Sequence, residues 1–169
     1  MGHRQLEVIM DFEFRFNKIN NLPHKEPICR IELNGHTAFT GKVKEQIKLS
    51  AEAKDRNVLR IFFENKSGKD TVVNKQNEIV QDLTFELEKV IINGLDLKHL
   101  IWQSRYVAGD NIIDSCLFFG PKGHWELEFD SPVLKWILRT NHNINNNDPG
   151  WEADYNYYEE ACQKLEKIR

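Results

Sequence analysis

Apolar and polar residues alternate along much of the first 130 positions, the period-2 signature of half-buried strands. In the first such segment Met10, Phe12, Phe14 and Phe16 share one face, and Asp11, Glu13 and Arg15 share the other. Met10 also offers a natural start, with the residues before it an extension. A turn-rich link over residues 20–27 leads to a second alternation at Ile28–Leu33. Asn34-Gly35, the strongest short hairpin signal, predicts a returning strand over residues 36–43. A further short strand is expected over residues 46–51. Residues 57–64 are nearly continuously apolar, which predicts a central strand covered on both faces. Thr71–Val73 and residues 79–80 flank Asn74-Lys75-Gln76-Asn77 as a hairpin. Residues 84–92 set Phe85, Leu87 and Ile91 against Glu86 and Glu88 and close at Asn93-Gly94. Residues 95–107 are less regular. Residues 115–119 and 124–129 predict a last hairpin about Gly120-Pro121-Lys122-Gly123. Many short strands with turn residues between them predict a mainly β fold, an antiparallel, jelly-roll-like β-sandwich.

The pattern changes after residue 130. Ser131 is placed as an N-cap with Pro132 at the first helical position. Val133, Leu134, Trp136, Ile137 and Leu138 give this helix a broad apolar face. An asparagine-rich loop over residues 141–147 follows. Asp148-Pro149 then opens a second helix, with Trp151, Tyr155, Tyr158, Cys162, Leu165 and Ile168 on one stripe. Its early acids and late bases complement the helix dipole. The expected organisation is a β-sandwich domain over residues 1–130 and a helical appendage with two C-terminal helices over residues 131–169.

Composition narrows the classes. A hydrophobic fraction of 40% and a charged fraction of 29% belong to a globular chain. Apolar runs are too short for a membrane-spanning helix, which needs roughly 20 residues, and the first ten residues do not read as a signal peptide. A net charge of −3 gives no basic face for nucleic acid. The three cysteines, Cys29, Cys116 and Cys162, lie far apart with no paired zinc-type spacing, and read as reduced core thiols of a protein made in a reducing cytoplasm.

Candidate chemistry is sparse. No phosphate-binding glycine loop, paired histidine motif or nucleophile elbow occurs, so the expectation is a non-enzymatic binding or assembly module. Glu126 and Glu128 share one face of a strand about 7 Å apart. Paired carboxylates suit glycoside hydrolysis, but the alternation fits the solvated side of an amphipathic strand better. Asn65, Ser67, Asp70, Asp82 and Asn93 place oxygen ligands at strand ends, a setting for calcium in β-sandwiches. Aromatics cluster late in the chain, and Tyr157 lies off the apolar stripe of its helix. Trp151, Tyr155, Tyr157 and Tyr158 are the candidate partner-binding residues.

Residues 57–97 carry Asn-Val-Leu-Arg-Ile-Phe-Phe, Lys-Ser-Gly-Lys-Asp-Thr-Val-Val and Glu-Lys-Val-Ile-Ile-Asn-Gly-Leu-Asp-Leu in order. With Gly-His-Trp-Glu-Leu-Glu-Phe at residues 123–129 and Ser-Pro-Val-Leu-Lys-Trp-Ile-Leu after it, this resembles small proteins of tailed phages, notably those infecting marine cyanobacteria. The resemblance spans residues 31–138. It implies a virion component of tail or capsid, made in the host cytoplasm and partnered by other virion proteins or by itself. The middle segment is also similar to calcium-dependent xylan-binding modules, where an Asp before the strand ending in Asn-Gly helps hold calcium. That likeness implies Asp70 and Asp82 as calcium positions and a host-surface glycan as the alternative partner.

Overall fold

The alternating first strand becomes an interior strand of one sheet, because its phenylalanine face has a second sheet to pack against. The fold is a computed structural model that describes residues 8–19 and 22–144, together with Glu152, Asn156, Tyr157, Glu159, Glu160 and Lys164. Its strands are β1 Val8–Asn17, β2 Ile28–Leu33, β3 His36–Lys42, β4 Gln46–Ala53, β5 Arg56–Phe63, β6 Thr71–Val73 and β7 Ile79–Asp82. They continue as β8 Phe85–Ile92, β9 Leu95–Asp96, β10 Arg105–Ala108, β11 Asn111–Asp114, β12 Phe118–Phe119 and β13 His124–Asp130. A helix, α1, covers Val133–Ile144.

One sheet runs β12-β8-β1-β4, with β9 also on β8; the other runs β11-β10-β13-β5-β2-β3. Every pairing is antiparallel. The inner faces meet through aromatic contacts: Phe12 against Phe129 at 6.3 Å and Phe63 against Phe85 at 5.0 Å, both edge-on. Edge-on contact is the geometry ring quadrupoles favour. The architecture is the expected antiparallel β-sandwich. The hairpin β6–β7 stands as a separate two-stranded ribbon. Asn34 and Gly35 take φ of 54° and 82°, and Asn93 and Gly94 take 49° and 78°, as a tight hairpin turn of this hand requires.

Four details depart from the sequence pattern. β5 is buried on one face only: Asn57, Leu59, Ile61 and Phe63 point inward, while Val58, Arg60 and Phe62 remain half-buried on the outside. Phe62 is apolar yet outward because the Arg30 guanidinium lies 3.9 Å from its ring centre and the His124 ring 4.9 Å away. Ile91 faces outward, since the β1–β8 register skips Glu88 and shifts the phase of β8. Residues 115–119 and 124–129 do not pair with each other. β12 joins β8 in one sheet and β13 joins β5 and β10 in the other, so the intervening segment crosses between sheets.

Ser131 does not cap α1: its hydroxyl accepts from the Asn57 amide at 3.0 Å, and its N–H donates to the Asp55 carbonyl. The first carbonyl of the helix is that of Pro132, which accepts from the Trp136 N–H. The helix buries Val133 and Trp136, and the indole meets Phe129 edge-on at 6.1 Å. Arg139 pairs with Asp130 and ties the second half of α1 to the end of β13. Beyond residue 150 the described positions are helical.

Candidate functional site

The outer face of the six-stranded sheet carries a connected row of ion pairs. Alternation turns His124, Glu126, Glu128 and Asp130 of β13 outward, because Trp125, Leu127 and Phe129 are drawn into the core. Register places Arg105 of β10 on one side of Glu126 and Arg60 of β5 on the other. The Arg105 Nη2 donates to Glu126 Oε1 at 2.7 Å, and Arg60 Nε donates to Oε2 at 3.0 Å. His124 Nε2 lies 3.3 Å from the same Oε2. The row continues from Arg60 to Glu32 on β2, where Arg30 bridges Glu32 and Glu64.

Glu126 is therefore a carboxylate under tight control. Burial opposes its ionisation, but hydrogen bonds and charge from Arg60 and Arg105 outweigh that and hold the group at about 2. Arg105 is raised in return, first by the hydrogen bond it donates to Glu126 and then by the carboxylate's charge. The glycosidase option needs one of the two carboxyls protonated near neutrality. The two arginines favour the ionised form of Glu126, which suits a fixed charge better than a proton donor, and Glu128 is exposed at the rim of the recesses beside α1.

Helix α1 crosses beside β13 and encloses two recesses on this face. The first, about 310 Å³, is lined by Gln103, Arg105, Glu126, Glu128, Trp136 and Thr140. The second, about 390 Å³, is lined by Arg56, Asn57, Val58, Glu128, Phe129, Asp130 and Trp136. Glu128 and Trp136 line both, so the recesses adjoin as a trough with Glu128 on the divide. Each lies at the small end of the range for ligand sites, about 300–1,000 Å³. The lining mixes guanidinium and amide donors with carboxylate and amide acceptors and includes the largely buried Trp136. Charges of both signs largely match: Arg105 and Arg60 face Glu126, and Arg139 faces Asp130.

The oxygen-rich positions are not gathered into one site. Asp70 accepts Lys25 Nζ on both oxygens, at 2.9 and 2.8 Å, and the Ser67 N–H at 2.7 Å. Burial opposes the Asp70 charge, but these bonds outweigh it and lower its pKa. Asp82 accepts the buried Lys66 ammonium and the Thr71 hydroxyl. Lys66 also donates to the Leu83 carbonyl at 2.7 Å. Asn65 closes the start of β2, bonding Ile28 N and Glu26 O. Asn93 belongs to the other sheet, where it accepts from Asp11 N. Calcium needs six to eight oxygens turned to one point. Here ammonium groups take the carboxylates and main-chain N–H groups take the amide oxygens, so these five residues do not fit the ion. Ser67, Asp70 and Asp82 anchor the base of the β6–β7 ribbon instead. No group of three or more His, Cys, Asp or Glu gathers as for a metal ion among the described residues.

Of the aromatic candidates, Tyr157 is described, helical and 70% exposed. Trp151, Tyr155 and Tyr158 lie outside the described residues. Sequence reasoning found Glu126 and Glu128 through their alternation, but missed Gln103, Arg105, Arg56 and Thr140. Those four come from the 3-10 helix before β10, β10, β5 and α1, and only the strand register and the position of α1 bring them to β13.

Among solved structures, the chain is similar to vCBM60, a calcium-dependent carbohydrate-binding module, in its selenomethionine form. The match has a TM-score of 0.46 and 11% identity, and covers 69% of this chain and 88% of that one. No family model matches the chain, and no curated protein matches its sequence.

Proposed function

We propose that the chain is a non-catalytic binding module that takes a neutral, polyhydroxylated ligand, a glycan, in the trough between β13 and α1. The observation that carries this reading is the lining of that trough. Guanidinium, amide and hydroxyl groups share it with carboxylates and Trp136, and the Arg105–Glu126 ion pair lies within the wall. An anion meets Glu126, Glu128 and Asp130; a cation meets Arg56 and Arg105. A sugar offers hydroxyls that both donate and accept, and it satisfies such a wall without a net charge. Two recesses joined at Glu128 suit two or more linked rings better than one. The controlled ionisation of Glu126 supports binding over hydrolysis. A glycan array probed with the full chain tests the reading. Binding restricted to a set of neutral oligosaccharides supports it, and no binding to any glycan at millimolar sensitivity removes it.

A second reading, a virion component of a tailed phage, needs a protein-contact surface, and the β6–β7 ribbon offers one. Val72, Val73, Ile79 and Val80 are exposed on this short hairpin, an apolar display suited to a neighbouring protein. Proteomics of purified particles tests it: a fixed copy number per particle supports the reading, and absence from particles ends it.

A further inference from the structure

The outermost strand of the six-stranded sheet is β11, and all four of its residues, Asn111, Ile112, Ile113 and Asp114, are exposed. Edge strands are ordinarily protected by lysine, proline, a bulge or shortness. The opposite edge of the same sheet, β3, has such protection: it ends in Lys42 and pairs with β2 through a register shift at Ile31/Glu32. The edge strand β12 is only two residues long. β11 has no basic residue and no proline, and its ladder with β10 runs unbroken from Arg105↔Asp114 to Ala108↔Asn111. Two aliphatics, Ile112 at 59% and Ile113 at 44% exposure, project from its two faces.

Hydrogen-bond phase determines how another strand can join. The Ser115 N–H donates to the Ser104 carbonyl at 2.9 Å, while the Ser104 N–H turns to the Ile101 carbonyl, so position 104/115 has the bonded phase at the head of the ladder. Bonded and non-bonded pairs alternate in an antiparallel ladder. Ile113 and Asn111 therefore direct their main-chain groups to β10, whereas those of Ile112 and Asp114 point outward. We propose that this edge pairs with β11 of a second copy of the chain about a two-fold axis, joining two sheets into one.

Two antiparallel registers keep the outward groups bonded to each other. One sets Ile112 against Ile112 of the second copy, which brings Asp110 opposite Asp114 twice over, and like charges directly opposed are destabilising. The other sets Ile113 against its own symmetry mate, with Ile112 opposite Asp114, and opposes no like charges. Ile113 is then in a non-bonded pair, where side chains approach most closely. Asp114 keeps its cross-strand neighbour Arg105 within its own copy. In this register the exposed Ile113 is covered by its own mate and Asp110 is kept from direct opposition to Asp114, as a second copy requires, and isologous two-fold pairs are the commonest form of self-association. The second register is the one assigned.

Sedimentation equilibrium of the full chain across a dilution series tests this, with two charge variants that separate the registers. Ile113→Lys sets two ammonium groups on the axis and raises the dimer dissociation constant by more than about tenfold. Ile112→Lys faces Asp114 of the other copy and leaves the dimer intact or tighter. Amide exchange at Ile112 and Asp114 of the unaltered chain provides a readout free of any folding defect, and both amides slow as concentration rises. A wild-type chain that stays monomeric at its highest soluble concentration overturns the proposal. So does a dimer indifferent to Ile113→Lys, or one broken by Ile112→Lys.

Discussion

Arg105 and Glu126 are cross-strand partners on β10 and β13, and their 2.7 Å ion pair forms part of the wall of the trough beside α1. With Arg60 on the other side, Glu126 holds its charge down to about pH 2, against an ordinary value of 4.5. A depressed carboxyl contributes stability above its unfolded value and loses it as pH falls through the folded one. Glu126 is thus expected to add acid sensitivity between about pH 4.5 and pH 2. Glu126→Gln should lower stability at pH 7 by about 1–2 kcal/mol, modest because both arginines are partly exposed. It should also flatten the acid limb of the profile. Urea melts of both proteins from pH 7 to pH 2 check this; a variant with the parental slope contradicts it.

Lys66 is 8% exposed and depends on Asp82 for its countercharge. Asp82→Asn is expected to cost about 2–4 kcal/mol, the scale of breaking a largely buried ion pair. The β6–β7 ribbon, which Asp82 terminates, should gain proteolytic sensitivity. Thermal melts and limited proteolysis check both effects.

The same ion pairs predict indifference to calcium. Adding calcium or a chelator should leave the amide resonances of Asp70 and Asp82 in place. A calcium-dependent shift at both would show that the ion displaces Lys25 and Lys66.

Gly123 stands where β13 begins against β10. A Cβ built there lies 2.2 Å from the Val107 carbonyl oxygen, part of the backbone rather than a movable side chain. Gly123→Ala is therefore expected to cost about 1–3 kcal/mol, as overpacking does. Denaturant unfolding checks it.

Cys29 sits in the core with its thiol pushed up to about 12, chiefly by burial. A thiol of that kind stays protonated and unreactive at neutral pH. A thiol reagent should label Cys29 only after unfolding, as read by peptide mass mapping.

Strand placement was legible because it follows from local alternation and turn chemistry. Met10 to Phe16 could bury one face only as a strand, and Asn34-Gly35 could turn only one way. Partnering was not. Residues 115–119 and 124–129 look like a hairpin in one dimension, yet their strands enter different sheets. The outward position of Phe62 was also hidden, because Arg30 and His124 lie on other strands. Asp70 and Asp82 look like metal ligands until Lys25 and Lys66 arrive, and Lys25 comes from 45 residues away. Within the trough, residues on one strand, such as Glu126, Glu128 and Asp130 on β13, could be read together, but nothing in the sequence says that β5, β10, β13 and α1 meet.

The most direct test of the glycan reading is an NMR titration of the isotope-labelled full chain with neutral oligosaccharides. The account predicts shifts confined to Gln103, Arg105, Glu128, Thr140 and their neighbours, and their loss in an Arg105→Ala variant that remains folded. Saturable shifts on another face, or unchanged binding by the variant, would contradict it.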